Sequence, residues 1–317
     1  MFALLIALAA AHHPGGVARV SNDNADVLGL PFAEGQWRLD TGFGLVLTPF
    51  DHVQRGGKRG ESVDNVVLLT QTPSARVWLP SATFVQVAVP FTSVFTSEED
   101  TFGIGDVTAQ FGQQLSLGPG IFTVNVGGSA PTGLASNKAG VEVLLLETED
   151  GEIFASSLQT WTQPGLGVWS VSAGVGIAQP AGRWMVRAGV ETRIPLGETD
   201  QGVRWGSDVA ATSSLSTDFG PLVVAVGVQG WTHTPDVMMA DPDSDGGVAY
   251  PMNRSHGIAI SPALSVAASQ RIRFGASVQL PVWQWVGGSQ LAPSYRVSAQ
   301  CQMSWGKSAQ EVSDNSP

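Results

Sequence analysis

Between Gly103 and Gly133 the chain reads GIGDVTAQFGQQLSLGPGIFTVNVGGSAPTG, a stretch whose apolar residues recur at every second position. Val107, Ala109 and Phe111 alternate with Asp106, Thr108 and Gln110. A Gly118-Pro119-Gly120 turn then reverses the chain, and Phe122, Val124 and Val126 alternate with Thr123 and Asn125. Successive side chains of a strand point to opposite faces, so this pattern predicts a β-hairpin with one apolar face and one face of uncharged polar residues, glycine and a single Asp. A water-soluble sandwich turns its apolar face inward, whereas a membrane barrel turns it to lipid and lines its lumen with the polar one. A single hairpin fits both, and its repetition along the chain distinguishes them.

The same criterion predicts strands at 37–47, 63–79, 83–95, 104–117, 121–132, 166–179, 183–195, 206–217, 222–233, 257–268, 271–284 and 292–305. Pro73 in the second must sit at a bulge or break the run, because proline cannot donate to a ladder. Connections at Pro80-Ser81, Gly118 to Gly120, Pro180 to Gly182, Asp218 to Pro221 and Ser269-Gln270 are short. Those at 49–62, 96–103, 133–165, 196–205, 234–256 and 285–291 are long. Short and long alternate throughout, which is the order of periplasmic turns and outer loops in a transmembrane barrel, and an even strand number puts both termini in the periplasm. No tryptophan falls mid-strand, as expected of amphipathic rings that prefer the two membrane interfaces: Trp37, Trp78, Trp184 and Trp305 sit at the periplasmic ends, and Trp161, Trp169, Trp205, Trp231, Trp283 and Trp285 at the outer ends or loops.

Charged residues make up only 14% of the 317, well below a soluble domain's usual quarter, yet no run approaches the ~20 apolar residues of a spanning helix. A net charge of -11 excludes nucleic acid as a partner, and the single Cys301 permits no internal disulfide. Met1 to Ala11, MFALLIALAAA, has the apolar core and A-x-A ending of a signal peptide without its basic leader. The final strand alternates Tyr295, Val297, Ala299, Cys301, Met303 and Trp305 with polar residues. This is the pattern the outer-membrane assembly machinery reads, although twelve residues from Gly306 to Pro317 follow it.

Gly105-Asp106 opening one strand, the Gly118 to Gly120 turn, Pro131-Thr132-Gly133 closing the next, and Gln163-Pro164-Gly165 followed by Gly167 and Trp169 form a set of words. In these the chain resembles the outer-membrane barrel proteins encoded with meta-pathway phenol degradation and their transporter-like relatives. By spacing the resemblance covers most of the mature chain. It implies an outer-membrane barrel passing small molecules, hydrophobic or aromatic ones among them.

The candidate lumen residues are Arg38, Asp40, Asp106, Asn125, Arg183, Arg187, Glu191, Arg193, Asp208, Arg271, Arg273 and Arg296. Guanidinium planes among them can attract anions and stack on aromatic solutes, or can pair with the carboxylates to hold a filled interior. His12-His13 at a processed N-terminus offers nitrogen ligands for Cu(II), and His52, His233 and His256 could converge at the outer mouth. Asp241, Asp243 and Asp245 begin a D-x-D-x-D-G calcium loop, but Met252 stands where the closing Glu belongs. Ser255-His256 is the nearest approach to an acyl-hydrolase pair, and adjacent strand residues face opposite ways, so they cannot form the nucleophile-base contact.

The sequence thus predicts an all-β protein, a single transmembrane antiparallel β-barrel of about twelve strands. A signal segment spans 1–11, a periplasmic arm or lumen plug 12–35, the barrel 36–305 and a polar tail 306–317. The expected function is passive passage of a small solute across the outer membrane, with membrane lipids and the assembly machinery as partners, no cofactor and no enzymatic activity. The alternatives are a structural or surface-binding barrel and copper handling through His12-His13.

Overall fold

The computed structural model describes residues 37–55, 58–95, 101–133, 144–147, 153–156, 165–199, 203–238, 250–252, 254–286 and 289–306. Twelve antiparallel strands close into a barrel. In chain order they are β1 (Arg38–Arg55), β2 (Lys58–Trp78), β3 (Thr83–Ala88, resumed as Phe91–Phe95), β4 (Thr101–Ile104, resumed as Thr108–Leu117), β5 (Gly120–Ser129) and β6 (Trp169–Ala181). They continue as β7 (Trp184–Leu196), β8 (Asp208–Phe219), β9 (Leu222–His233), β10 (Ser255–Ala267), β11 (Ile272–Val286) and β12 (Arg296–Trp305). Each pairs with its neighbours in sequence, and β1 pairs with β12 from Leu39↔Trp305 to Leu47↔Val297, which removes both sheet edges.

All twelve strands coincide with the alternating stretches of the sequence, because closure makes every strand obey the same inside-outside rule. Leu39, Phe43, Phe111, Val124, Val126 and Leu264 are among the outward residues left exposed, while the alternate positions are buried or half-buried. In water each such side chain would forgo about 1.5–3 kcal/mol of burial, so a wall made entirely of them is a lipid-facing surface. Its strands of 10 to 13 residues, as in β5 and β6, match the ~9–11 tilted residues that cross a bilayer.

The connections at one end are tight turns carrying positive-φ residues at Ala82 (59°), Gly118 (58°), Gly182 (64°) and Gly220 (66°). The remaining one is held by Ser269 Oγ, which accepts from the amides of Arg271 and Ile272. Connections at the other end are longer and carry structure of their own. The hairpin Leu144–Glu147 with Ile153–Ser156 occupies one, and a small ladder joins Val203–Arg204, Asp236–Met238 and Tyr250–Met252.

Two expectations about the wall are corrected. The segment 49–62 is not a loop: β1 and β2 run on as a paired hairpin to Arg55↔Lys58, and Ser289–Pro293 pairs with its β1 side. Those residues lie beyond the wall, where nothing requires an apolar outer face, so the alternation vanishes while the ladder persists. Pro73 neither bulges nor breaks β2. It pairs with Phe43, and it is β3 that gives way opposite it, at Val89 and Pro90, with the Val89 amide donating to the Pro73 carbonyl (3.1 Å).

Candidate functional site

The inward positions of the strands form a mostly polar lining, interrupted by Val46, Phe50, Leu68, Phe84 and Val94 on β1 to β3, and glycines set its shape where neighbouring rings need room. Phe84 lies over Gly112, where an added Cβ would come 2.3 Å from the ring, and Trp231 lies over Gly257 at the same distance. Both rings thus fold flat against the inner wall instead of crossing the lumen. Thr123 and Asn125 of β5 face inward beside Gly174 of β6, whose own Cβ would meet the Asn125 amide at 2.9 Å.

At the short-turn end Asp40 is buried and gathers three strands. Its carboxylate accepts from Arg38 Nη2 (2.9 Å) on β1, Trp78 Nε1 (2.8 Å) on β2 and Ser304 Oγ (2.7 Å) on β12, so the closure seam is stitched from inside. Beside it Arg76 Nε donates to Gln86 Oε1 (2.8 Å), and its guanidinium carbon lies 5.6 Å from the Trp78 ring and 5.0 Å from the Phe84 ring. Arg187 Nη1 donates to Ser216 Oγ (2.9 Å), and Glu191 is buried one strand-turn higher on β7. Arg273 and Arg296 face inward on β11 and β12, half-buried, with Arg273 within electrostatic reach of Arg38. Arg271 sits at the lip, before β11 begins.

At the long-loop end a buried cluster closes over Asp208. Arg193 Nε donates to its Oδ2 (2.9 Å), with Nη2 directed at the same oxygen, and His233 Nδ1 is 2.6 Å from Oδ1. The other ring nitrogen, Nε2, is 3.0 Å from Asp236 Oδ1, which also accepts the Gly206 amide (2.7 Å). Ionised carboxylates only accept, so both ring nitrogens donate here and the imidazolium balances the second Asp. Asp106 is bound differently: Oδ1 accepts from the Gly133 amide (3.0 Å) and Oδ2 from the Leu166 amide (2.7 Å), while Trp205 Nε1 donates to the Leu166 carbonyl (2.7 Å). Gly105-Asp106, Pro131-Thr132-Gly133 and Gly165, distant in sequence, therefore meet in one knot.

Several candidates take different places from those expected. Arg183 is not on the lumen face: it precedes β7 in a turn, exposed, with its guanidinium 5.0 Å from the Trp184 ring centre. Three tryptophans are not interfacial. Trp78 and Trp231 are turned inside and buried, because the side of the strand, and not its height alone, decides where a ring goes, and Trp205 is buried in a connection against Leu166 and Val168. Trp37, Trp169, Trp184, Trp283 and Trp305 do face outward. His233 and His256 do not converge, since one is buried inside and the other stacks outside on Trp285 (4.6 Å between ring centroids). Ser255 and His256 likewise separate to opposite faces. The signal segment, the arm 12–35 with His12 and His13, Trp161, the side chain of His52, Asp241, Asp243, Asp245 and the tail beyond Gly306 lie outside the described residues. No group of three or more His, Cys, Asp or Glu side chains arranged to hold a metal ion occurs among the described residues.

Arg76, Gln86, Trp78 and Asp236 complete the interior but were not among the candidate site residues, and His233 was read only as a metal ligand at the outer mouth. For Arg76 and Trp78 the signal was present, in their parity with Ser74 on β2. For Asp236 it was not, since this residue lies in a loop and acts on another loop.

No family model matches the sequence, and no curated protein matches it. Among solved structures, an outer membrane channel from Pseudomonas putida F1 superposes with a TM-score of 0.64 at 14% identity, covering 86% of this chain and 97% of that one. The Pseudomonas putida toluene transporter TodX (TM-score 0.38, 9% identity, 95% of each chain) and the monoaromatic hydrocarbon channel CymD (TM-score 0.39, 12% identity, 95% of this chain and 94% of that one) are too distant to carry an argument. The first likeness shows the fold, that of an outer-membrane barrel, and it agrees with the lipid-facing wall.

Proposed function

We propose that the protein is a passive channel for small solutes, hydrophobic and aromatic molecules among them, with its short turns and both termini in the periplasm and the 12–35 arm as a plug. The observation that carries this reading is the lining: Thr48, Thr70, Thr72, Thr92, Gln114, Thr123, Ser172 and Gln300 turn hydroxyls and amides inward in a closed barrel whose outer face is apolar. A wall that is polar inside and apolar outside is the arrangement of a membrane barrel that encloses a path for solute.

Neighbouring side chains close over the same groups, which fits a narrow, side-chain-gated path of the modest bore that twelve strands allow. The test is single-channel recording on the refolded mature protein in a planar bilayer, with and without residues 12–35. Steady openings, larger without the arm, are expected. A folded barrel silent in both forms would overturn the channel.

A further inference from the structure

The inner wall of the barrel is not alike all the way round. On β1 to β3 the inward side chains are bulky and shut away from water: Leu68 is 4% exposed, Thr70 0% and Val94 1%. On β8 to β10 the inward positions hold Ser214, Gly227, Ser261 and Ala263, and each of these is half-buried, so water reaches it from the lumen. They adjoin one another. Ser214 pairs with Gly227 and Gly227 with Ser261, while Ala263 pairs with Ala225 one step along, so the three strands present a continuous open face.

Small side chains alone do not account for the contrast. β6 turns residues just as small inward, Ser172, Gly174 and Gly176, and they are buried, Ser172 to 5% exposure. The space in front of the two surfaces differs in the same sense. A Cβ added to Gly227 would meet nothing nearer than 3.4 Å, an ordinary contact, whereas at Gly174 it would come within 2.9 Å of the Asn125 amide. Protein interiors are close-packed, with few voids larger than a water molecule, so open space along three inward strands belongs to the lumen and is not loose packing.

Long side chains at the margin of this face are tied back from it. Gln229 on β9 and Gln279 on β11 stand two strands apart, about 9–10 Å, and Gln279 Nε2 donates to Gln229 Oε1 past the small residues of β10, which lays both along the wall. Towards the long loops the Trp231 ring lies over Gly257 and packs with Ala210 and Ala259. Arg273 and Arg296 border the face on β11 and β12, each engaged with the protein.

We infer that the passage through this barrel is off-centre: solute travels along β8 to β10, over Ser214, Gly227, Ser261 and Ala263, while the inner faces of β1 to β3 and of β6 take no part. The inference rests on the channel reading and says where in the lumen the solute goes. Hydroxyls and bare backbone hold a solute only weakly, which suits passive passage, since what enters must also leave.

The experiment is cysteine mapping of the refolded protein in a planar bilayer, with Cys301, the one thiol of the chain, replaced by Ser. The probe is a membrane-impermeant, positively charged methanethiosulfonate. Ser214→Cys, Ser261→Cys and Ser172→Cys each exchange one oxygen for sulfur, and reaction of the thiol depends on access. The first two should react at least ~10-fold faster than the third, and each reaction should step the current down. A negatively charged methanethiosulfonate should give the same order, which separates access from charge. If a variant fails to fold, Ala263→Cys stands in on the open side and Thr70→Cys on the closed one. Equal rates at the three sites in conducting channels, or fast reaction at Ser261→Cys with the current unchanged, would overturn the off-centre passage and leave the channel standing. A folded barrel without current would overturn the channel and the passage with it.

Discussion

The two ends of the barrel put buried carboxylates to different uses, although Asp208 at the long-loop end, like Asp40, accepts from side chains of paired strands, Arg193 and His233. At the short-turn end Asp40 accepts only from side chains, Arg38, Trp78 and Ser304, on three neighbouring strands already in register. At the long-loop end Asp106 and Asp236 accept backbone amides, those of Gly133, Leu166 and Gly206, and so fix the paths of loops that no ladder specifies. Short turns come with their geometry, set by Gly118, Gly182 and Gly220 in left-handed conformation, so the carboxylate there is left to tie strand to strand. Long loops come with none, and the carboxylates supply it. The wall fixes itself, and the rim needs charge to be fixed.

The largest effect should follow from removing Asp208. Its carboxylate holds both Arg193 and His233, each buried, and His233 in turn holds Asp236. Asp208→Ala leaves a buried guanidinium without its carboxylate, a change of about 3–5 kcal/mol. Guanidinium-induced unfolding in lipid vesicles should show that loss, and limited proteolysis should show new cleavage in the 196–205 and 234–256 connections with the short turns still resistant. Equal sensitivity at both ends would break the comparison, since the cluster would then be stabilising the wall and not the rim.

How far the sequence revealed this division follows from the range of the interactions. Every strand of the wall was legible because the lipid on one side and the lumen on the other impose the same period of two from β1 to β12. That rule lapses above the membrane, so the extension of β1 and β2 past residue 49 was invisible. Parity also carried more than was taken from it. Trp78 and Trp231 share the parity of inward neighbours, Arg76 in one case and Gln229 in the other, and weighing their height on the strand ahead of their side sent them wrongly to the interfaces. The Asp106 knot joins residues 27 and 60 positions apart, and no local pattern announces contacts of that kind. The words Gly105-Asp106 and Pro131-Thr132-Gly133 could be read as a resemblance, but their chemistry, a carboxylate meeting two loop amides, appears only once the loops are folded.

Asp40→Asn should be milder than the loss of Asp208. The amide keeps one acceptor oxygen but replaces the other with a donor facing Arg38 and Trp78 Nε1, both donors themselves. Losing charge-assisted bonds of this kind costs about 1.5–3 kcal/mol. Because the three strands remain paired by their ladders, the barrel should still close, and the loss should appear as a lower unfolding midpoint with unchanged proteolysis of the long connections. New cleavage in those connections would show that the seam and the rim are coupled, against the division drawn between them.

The smallest effect sharpens the comparison most, because the rim repeats one device. Thr132 Oγ1 accepts the Val107 amide (2.8 Å) where β4 resumes, and Thr234 Oγ1 accepts the Ser207 amide (2.7 Å) just before β8. Each threonine follows the strand next along the wall, β5 or β9, and each pair is completed by a backbone bond, Ala130 N to Val107 O in one and Thr234 N to Ser207 O in the other, both 2.9 Å. Valine keeps the shape and removes the hydroxyl, including the long donation from Thr132 to the Gly105 carbonyl (3.4 Å), at about 0.5–1.5 kcal/mol per site. The two clasps share no residue, so Thr132→Val and Thr234→Val should add when combined. Hydrogen exchange should locate each loss at its own amide, Val107 or Ser207, with the amides of the other clasp unchanged. A double variant losing much more than the sum would mean that the rim folds as one unit, with Trp205, whose indole reaches the Leu166 carbonyl beside Asp106, as the link between its halves.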